Sequence, residues 1–198
     1  MAEIKSTMEL VMERAARIGR ASSEELLQEE ARKKGMQLTC AYLDGKLTRL
    51  NDEIARQELD IQDIMRHGMV ESLTRNIFLA RDDLQQQRVE KATQGIINLG
   101  GDAGDLVSIC QELLNVLGGY NKHREQLRGQ LEDQVRMQYE QLLVQQTGGQ
   151  PGNLNMDVTL QPKFKEEWGR IEAELNGQYS QAIDQYKIQL KQRLGIQS

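Results

Sequence analysis

Proline is nearly missing from this 198-residue chain: Pro151 and Pro162 are the two, and both fall in one short stretch. Proline removes an amide donor and clashes with the preceding helical turn, so the 150 residues ahead of Pro151 hold no strong helix breaker. Aromatic residues make up only 4% and hydrophobic residues 38%. With 28% charged residues and 24 glutamines, that composition excludes a thick globular core and suits long helices with thin seams. No window approaches the roughly 20 consecutive apolar residues of a membrane span. The N-terminal MAEIKSTMELVMERAARIGR also lacks the apolar core of a signal peptide. A soluble, cytoplasmic chain with no stable membrane insertion is expected. The two cysteines, Cys40 and Cys110, are far apart and have no CxxC partner, which reads as two reduced, partly buried thiols. The net charge is −5 and no region is a strong basic patch, the run Arg32-Lys33-Lys34 reading as a solvated face; phosphate-backbone affinity needs clustered Lys and Arg, so no nucleic-acid partner is expected.

Catalytic patterns are absent as well. There is no HExxH, GxSxG, GxxxxGK[ST] or GxGxxG. His67 and His123 stand alone, neither with a carboxylate at the Glu-x-x-His spacing of di-iron bundles. The pairs Glu29–Glu30, Asp82–Asp83 and Glu166–Glu167 are adjacent in sequence, so they diverge by about 100° around a helix and read as solvated surface. No enzyme, cofactor or metal site is expected. The strongest candidate for a ligand is the loop Gly100–Asp105, where Gly100 and Gly101 could bare backbone amides before a helix N-terminus. Against an anion there, Asp102 and Asp105 repel it. Against calcium, two carboxylates fall short of six to eight oxygens.

What the chain does have is apolar periodicity. From Leu43 onward, Leu47, Leu50, Ile54, Ile61 and Ile64 follow steps of four and three, with Gln57 in one slot. The stripe resumes at Met69, Leu73, Ile77, Ala80 and Leu84 and fades toward Leu99. Such alternation is the seam of a helix lying along another helix. One continuous helix over Leu43–Leu99 would be roughly 85 Å long at about 1.5 Å per residue, too long for one compact globule. With Leu47, Ile54 and Ile61 at a, the g positions are Lys46, Glu53, Asp60 and His67, and the e positions Asp44, Asn51, Glu58 and Met65. A parallel in-register pair would set Glu53 against Glu58, so antiparallel pairing is expected.

The pattern predicts an all-α, elongated bundle of long amphipathic helices with coiled-coil-like packing and one Gly/Pro loop at 147–162. Three regions follow: an N-terminal amphipathic helix in 1–20, stopped by Gly19; a long helical region at 22–99, capped by Ser22 or Ser23 and kinked or broken at Gly45 and Gly68; and 100–198. In that last region Asp105 caps a short helix closed by Gly118–Gly119. A hairpin then joins a helix over 120–146 to one over 163–194, with a short extended piece at Met156–Leu160. Phe164 and Trp168, four apart, share a face and anchor packing there.

The opening MAEIKSTMELVMER, helices broken by LGGDAGD, and the Gly/Pro loop together resemble a family of bacterial helical proteins of unknown function. No catalytic motif comes with that resemblance, so it implies no site residues. The long Glu/Gln/Arg-rich amphipathic helices are also similar in texture to the peripheral-stalk subunits of rotary ATPases, without a match to their more globular C-terminal part. The expected function is non-enzymatic: a helical structural or interaction protein that assembles with copies of itself or with a protein partner. The alternatives are a ligand- or metal-binding protein using Gly100–Asp105, a peripheral-stalk-like protein, or a membrane-surface adaptor using residues 2–18.

Overall fold

A computed structural model describes residues 7–101, 104–147 and 157–196. The described residues are all-α, with six α-helices, one 3₁₀ turn and no strand. The helices are α1 (Thr7–Leu43), α2 (Leu50–Ala55), α3 (Leu59–Arg75), α4 (Asp83–Gly100), α5 (Gly104–Thr147) and α6 (Pro162–Arg193). Among the described residues no helix is long and apolar enough to cross a membrane. The chain divides into two compact units: residues 1–76 with 91–102, and residues 77–90 with 103–198.

In the first unit α1 is one helix of 37 residues. It runs through Gly19, the expected stop, and through Ser22 and Ser23, so the expected boundary at 20–22 lies inside it. A helical glycine costs only about 1 kcal/mol against alanine, too little to end so long a helix. The stop comes at Gly45, where φ is +81°. The amide of Lys46 donates to the Ala41 carbonyl at 2.8 Å and that of Gly45 to Tyr42 at 3.0 Å. These two bonds close the helix as a Schellman motif.

The expected seam from Leu43 to Leu99 is not one helix. It breaks at 44–49, at Arg56–Glu58 and again at Asn76–Asp82, so one heptad register cannot run from Leu43 to Ile64. Gly68 neither kinks nor stops anything that ends a helix, because α3 continues to Arg75. Its role is contact. A Cβ at Gly68 would stand 2.2 Å from the Arg32 carbonyl oxygen, and one at Gly35 2.2 Å from that of Met65. Two glycines thus let the backbones of α1 and α3 touch, running in the same direction: further along both helices Thr39 Oγ1 donates to the Met69 carbonyl, and Tyr42 and Leu73 both reach Gly95. Buried Ala31 and Thr39 complete the small face of α1, and Met65, Met69 and Leu73 fill the space beside it. Gly95 of α4 makes similar room: a Cβ there would lie 2.8 Å from Leu73 Cδ2 and 3.0 Å from Tyr42 Cε1.

The second unit is built on an α-hairpin. α5 does not close at Gly118–Gly119 but continues to Thr147 as a 44-residue helix. Its contacts with α6 step in opposite directions along the two chains. Asp105 meets Arg193, Glu112 meets Tyr186, Tyr120 meets Asn176, Arg124 meets Glu172 and Gln138 meets Lys163. The pair is therefore antiparallel, and α6 matches its expected limits to within a residue. At the loop end, Leu131, Val135, Val158 and Phe164 form one buried cluster with Tyr139, Trp168 and Ile171 packed against it. Val158–Leu160 is a 3₁₀ turn rather than extended chain, because Asp157 caps it by accepting from the Thr159 amide; Met156 lies outside the described residues. α4 opens on Asp82, whose carboxylate accepts from the Gln85 amide at 2.8 Å, while the Gln85 side chain accepts from the Arg81 amide at 3.0 Å. This closely resembles a capping box.

Candidate functional site

Gly100 is the last residue of α4, and Gly101 follows at φ +63°. Both belong to the first unit. Asp105 lies in the second, in the first turn of α5. Its carboxylate is met by Arg193 Nε at 3.1 Å, so its charge is answered by its own chain and by the positive end of its own helix. Asp102 lies outside the described residues. Among the described residues no three of His, Cys, Asp and Glu converge as metal ligands would.

The seam residues are mostly core. Leu43, Leu50 and Ile54 are buried, whereas Leu47, Ile61 and Ile64 are half-buried. Phe164 is buried in the hairpin cluster and Trp168 is half-buried. The indole ring carries the Arg124 guanidinium 5.7 Å from its centroid, a cation–π contact.

A polar layer interrupts the hairpin seam. Tyr120 Oη donates to Asn176 Oδ1 at 2.7 Å, and Arg124 Nε to Glu172 Oε1 at 2.9 Å. Arg81 stands 4.0 Å from the same carboxylate. Tyr120 is fully buried, and its ring meets that of Tyr179 edge-on at 5.3 Å. Two turns further along, burial and the neighbouring Glu112 carboxylate push the Tyr186 hydroxyl above its ordinary pKa.

Cys110 is buried, and desolvation pushes its pKa up to about 11, which keeps it protonated and unreactive at neutral pH. Cys40 is exposed rather than partly buried, because it falls on the side of α1 away from Thr39 and Tyr42, both of which are buried.

The exposed apolar side chains gather elsewhere. On α1, Met8 is 71% exposed, Met12 67%, Leu26 61% and Leu27 59%, and every residue from 23 to 30 is exposed. On α5, Met137 and Val144 line a shallow depression with Glu140, Gln141 and Gln145.

A family model of unknown function matches residues 51–192. The chain belongs to the DUF6657 family. No curated protein and no solved structure matches it. The DUF6657 match takes in nearly all of α2, then α3 to α5 and nearly all of α6, so Gly68 and Met65 lie inside it while Gly35 and α1 precede it. The exposed stretch of α1 precedes the DUF6657 region.

Phe164 and Trp168 belong to the hairpin cluster, and of the Leu43–Ile64 seam Leu43, Leu50 and Ile54 are buried. Sequence reasoning passed over Gly35 and the polar layer. Gly35 had a signal: Ala31, Gly35 and Thr39 are three small residues at steps of four. The polar layer had one too, since Arg124 falls between Tyr120 and Leu127 in the apolar series of α5.

Proposed function

We propose that this DUF6657 member is a non-enzymatic, cytoplasmic helical interaction protein that works by helix–helix assembly, with the stretch of α1 ahead of Ala31 as its contacting face. The occupant is a second copy lying antiparallel, in an elongated, coiled-coil-like arrangement. The observation that carries this reading is the exposure of Met8, Met12, Leu26 and Leu27 on one helix. Burial on α1 begins at Ala31, whereas every residue from 23 to 30 is exposed. A helix in water owes most of its stability to a packed apolar face, and on this stretch the side chains at 8, 12 and 23–30 are exposed. Charge favours the antiparallel sense. Glu24, Glu25, Glu29 and Glu30 form an acidic block, and a parallel in-register copy would set that block against itself, at tenths of a kcal/mol to about one for each exposed pair.

Replacing Leu26 and Leu27 together by glutamate tests the reading. The sedimentation coefficient of the full chain is expected to drop to that of a single 22.6 kDa chain, with the helical circular dichroism signal kept. Unchanged sedimentation would overturn it. Pelleting of the wild type, but not the double variant, with anionic phospholipid vesicles would favour a membrane surface over a second copy.

A further inference from the structure

We propose that the polar layer of the α5–α6 hairpin sets the register in which these two helices pack. The apolar stripes alone do not. Leu113, Leu117, Leu127 and Leu131 on α5 recur at heptad spacing, as do Trp168 with Leu175 and Ile183 with Leu190 on α6. Sliding one helix seven residues past the other therefore exchanges Trp168 with Leu175 and Ile183 with Leu190 at the same facing positions, with the step of eight from Leu175 to Ile183 the one irregularity. The polar groups forbid the slip in both directions. Moved one way, Glu172 comes opposite Leu117, Asn176 opposite Leu113, and Arg124 opposite Lys165. Moved the other way, Glu172 comes opposite Leu131, Asn176 opposite Leu127, and Arg124 opposite Tyr179. Either slip separates Arg124 from Glu172, whose side chains are only 25% and 20% exposed in their present pairing. It also parts the fully buried Tyr120 from Asn176. A buried or half-buried polar group without its partner is penalised far more than the made bond is worth. The layer thus acts against wrong pairings more than for stability, as a single polar position does in coiled coils.

The test measures register directly in the full chain. With Cys40→Ser and Cys110→Ala, spin labels go on cysteines replacing the exposed Asn115 and Glu166, and the distance between them is read by pulsed electron resonance. The parent is expected to give one narrow distance. The variant carrying Tyr120→Phe, Arg124→Leu, Glu172→Leu and Asn176→Leu is expected to keep its helical signal. It is also expected to add a second population displaced by about 10 Å, seven residues at about 1.5 Å each. A single unchanged distance in that variant would overturn the proposal. So would loss of its helical signal, since the apolar stripes would then fail to pack unaided. The pair Arg124→Gln with Glu172→Gln still hydrogen-bonds across the seam and is expected to retain the single distance, and a split there also counts against the proposal.

Discussion

Alanine at Gly35 adds one methyl group in a place where the structure has no room for it. Its Cβ would sit 2.2 Å from the Met65 carbonyl oxygen, against roughly 3.5 Å or more for comfortable contact. The obstacle is backbone, so no side-chain rotation relieves it and α1 and α3 must part by about 1 Å. A gap of that order forfeits a quarter to a half of the contact energy for atoms lining it, and those atoms belong to buried Ala31, Thr39, Met65, Met69 and Leu73. Overpacking of this kind costs about 1–3 kcal/mol or more, and the rigid obstacle argues for the upper end. Alanine's better helix propensity returns about 1 kcal/mol. The net loss is about 2 kcal/mol, or a Tm lower by about 4–8 °C at this chain length. Gly177→Ala is the opposite case, for nothing lies within 4 Å of its would-be Cβ in the middle of α6. There only the propensity gain remains, up to about 1 kcal/mol. Thermal melts followed by circular dichroism should show the two glycines moving in opposite directions. If Gly35→Ala is as benign as Gly177→Ala, the backbone contact between α1 and α3 is not as close as described. Gly68→Ala, on the other side of the same contact, should be less than additive with Gly35→Ala, because the first substitution already parts the helices.

Arg124→Ala should cost about 1–2 kcal/mol, the scale for a hydrogen bond to a charged group, with Arg81 at 4.0 Å limiting the loss; urea denaturation measures it. Cys40 should react with a thiol reagent in the folded chain, while Cys110 reacts only on unfolding, by mass spectrometry of the labelled chain. The raised pKa of Cys110, about 11 against about 8.5 when unfolded, means its protonated form is favoured by folding. Its contribution is therefore complete below about pH 8.5 and lost between there and about 11, so the urea midpoint of the wild type should fall more steeply across that window than that of Cys110→Ala. Asp157 is shifted the other way, held below the ordinary carboxyl pKa chiefly by the Thr159 side-chain hydroxyl and then by the Thr159 amide. Its contribution is present above the unfolded value and lost as pH falls through the folded one, and Thr159→Val should raise its NMR titration midpoint.

The helical class and the ends of α6 were legible because they follow from local rules. Proline at the first helical position opens α6, and Gly195 at φ +74° closes it, with the Ile196 amide donating to Lys191 at 2.9 Å. Gly45 was legible for the same reason. Gly19, Gly68, Gly118 and Gly119 misled, because a glycine marks a turn only where the chain takes a positive φ, and within a long helix it is merely a small cost. The break at 76–82 was hidden in the opposite way: Ile77, Phe78, Leu79 and Ala80 form an apolar run that satisfies a helical period as readily as a packed loop. Asp82 was read as solvated surface, although Asp82-Asp83-Leu84-Gln85 carries the Asp-x-x-Gln spacing of a helix start. Of the candidate site, Gly100 ends α4 rather than opening a loop, and Asp105 falls in the first turn of α5 rather than at its cap, while the Arg193 that answers it is far along the chain. Pairings of that kind, like Tyr120 with Asn176, come from tertiary registration and leave no local trace.

The central claim, that the exposed stretch of α1 covers itself with a second copy, is tested most directly by the mass of the intact wild-type chain in solution. Light scattering across a concentration series is expected to give twice 22.6 kDa at high concentration, falling toward a single chain on dilution. A mass of 22.6 kDa at every concentration would contradict it.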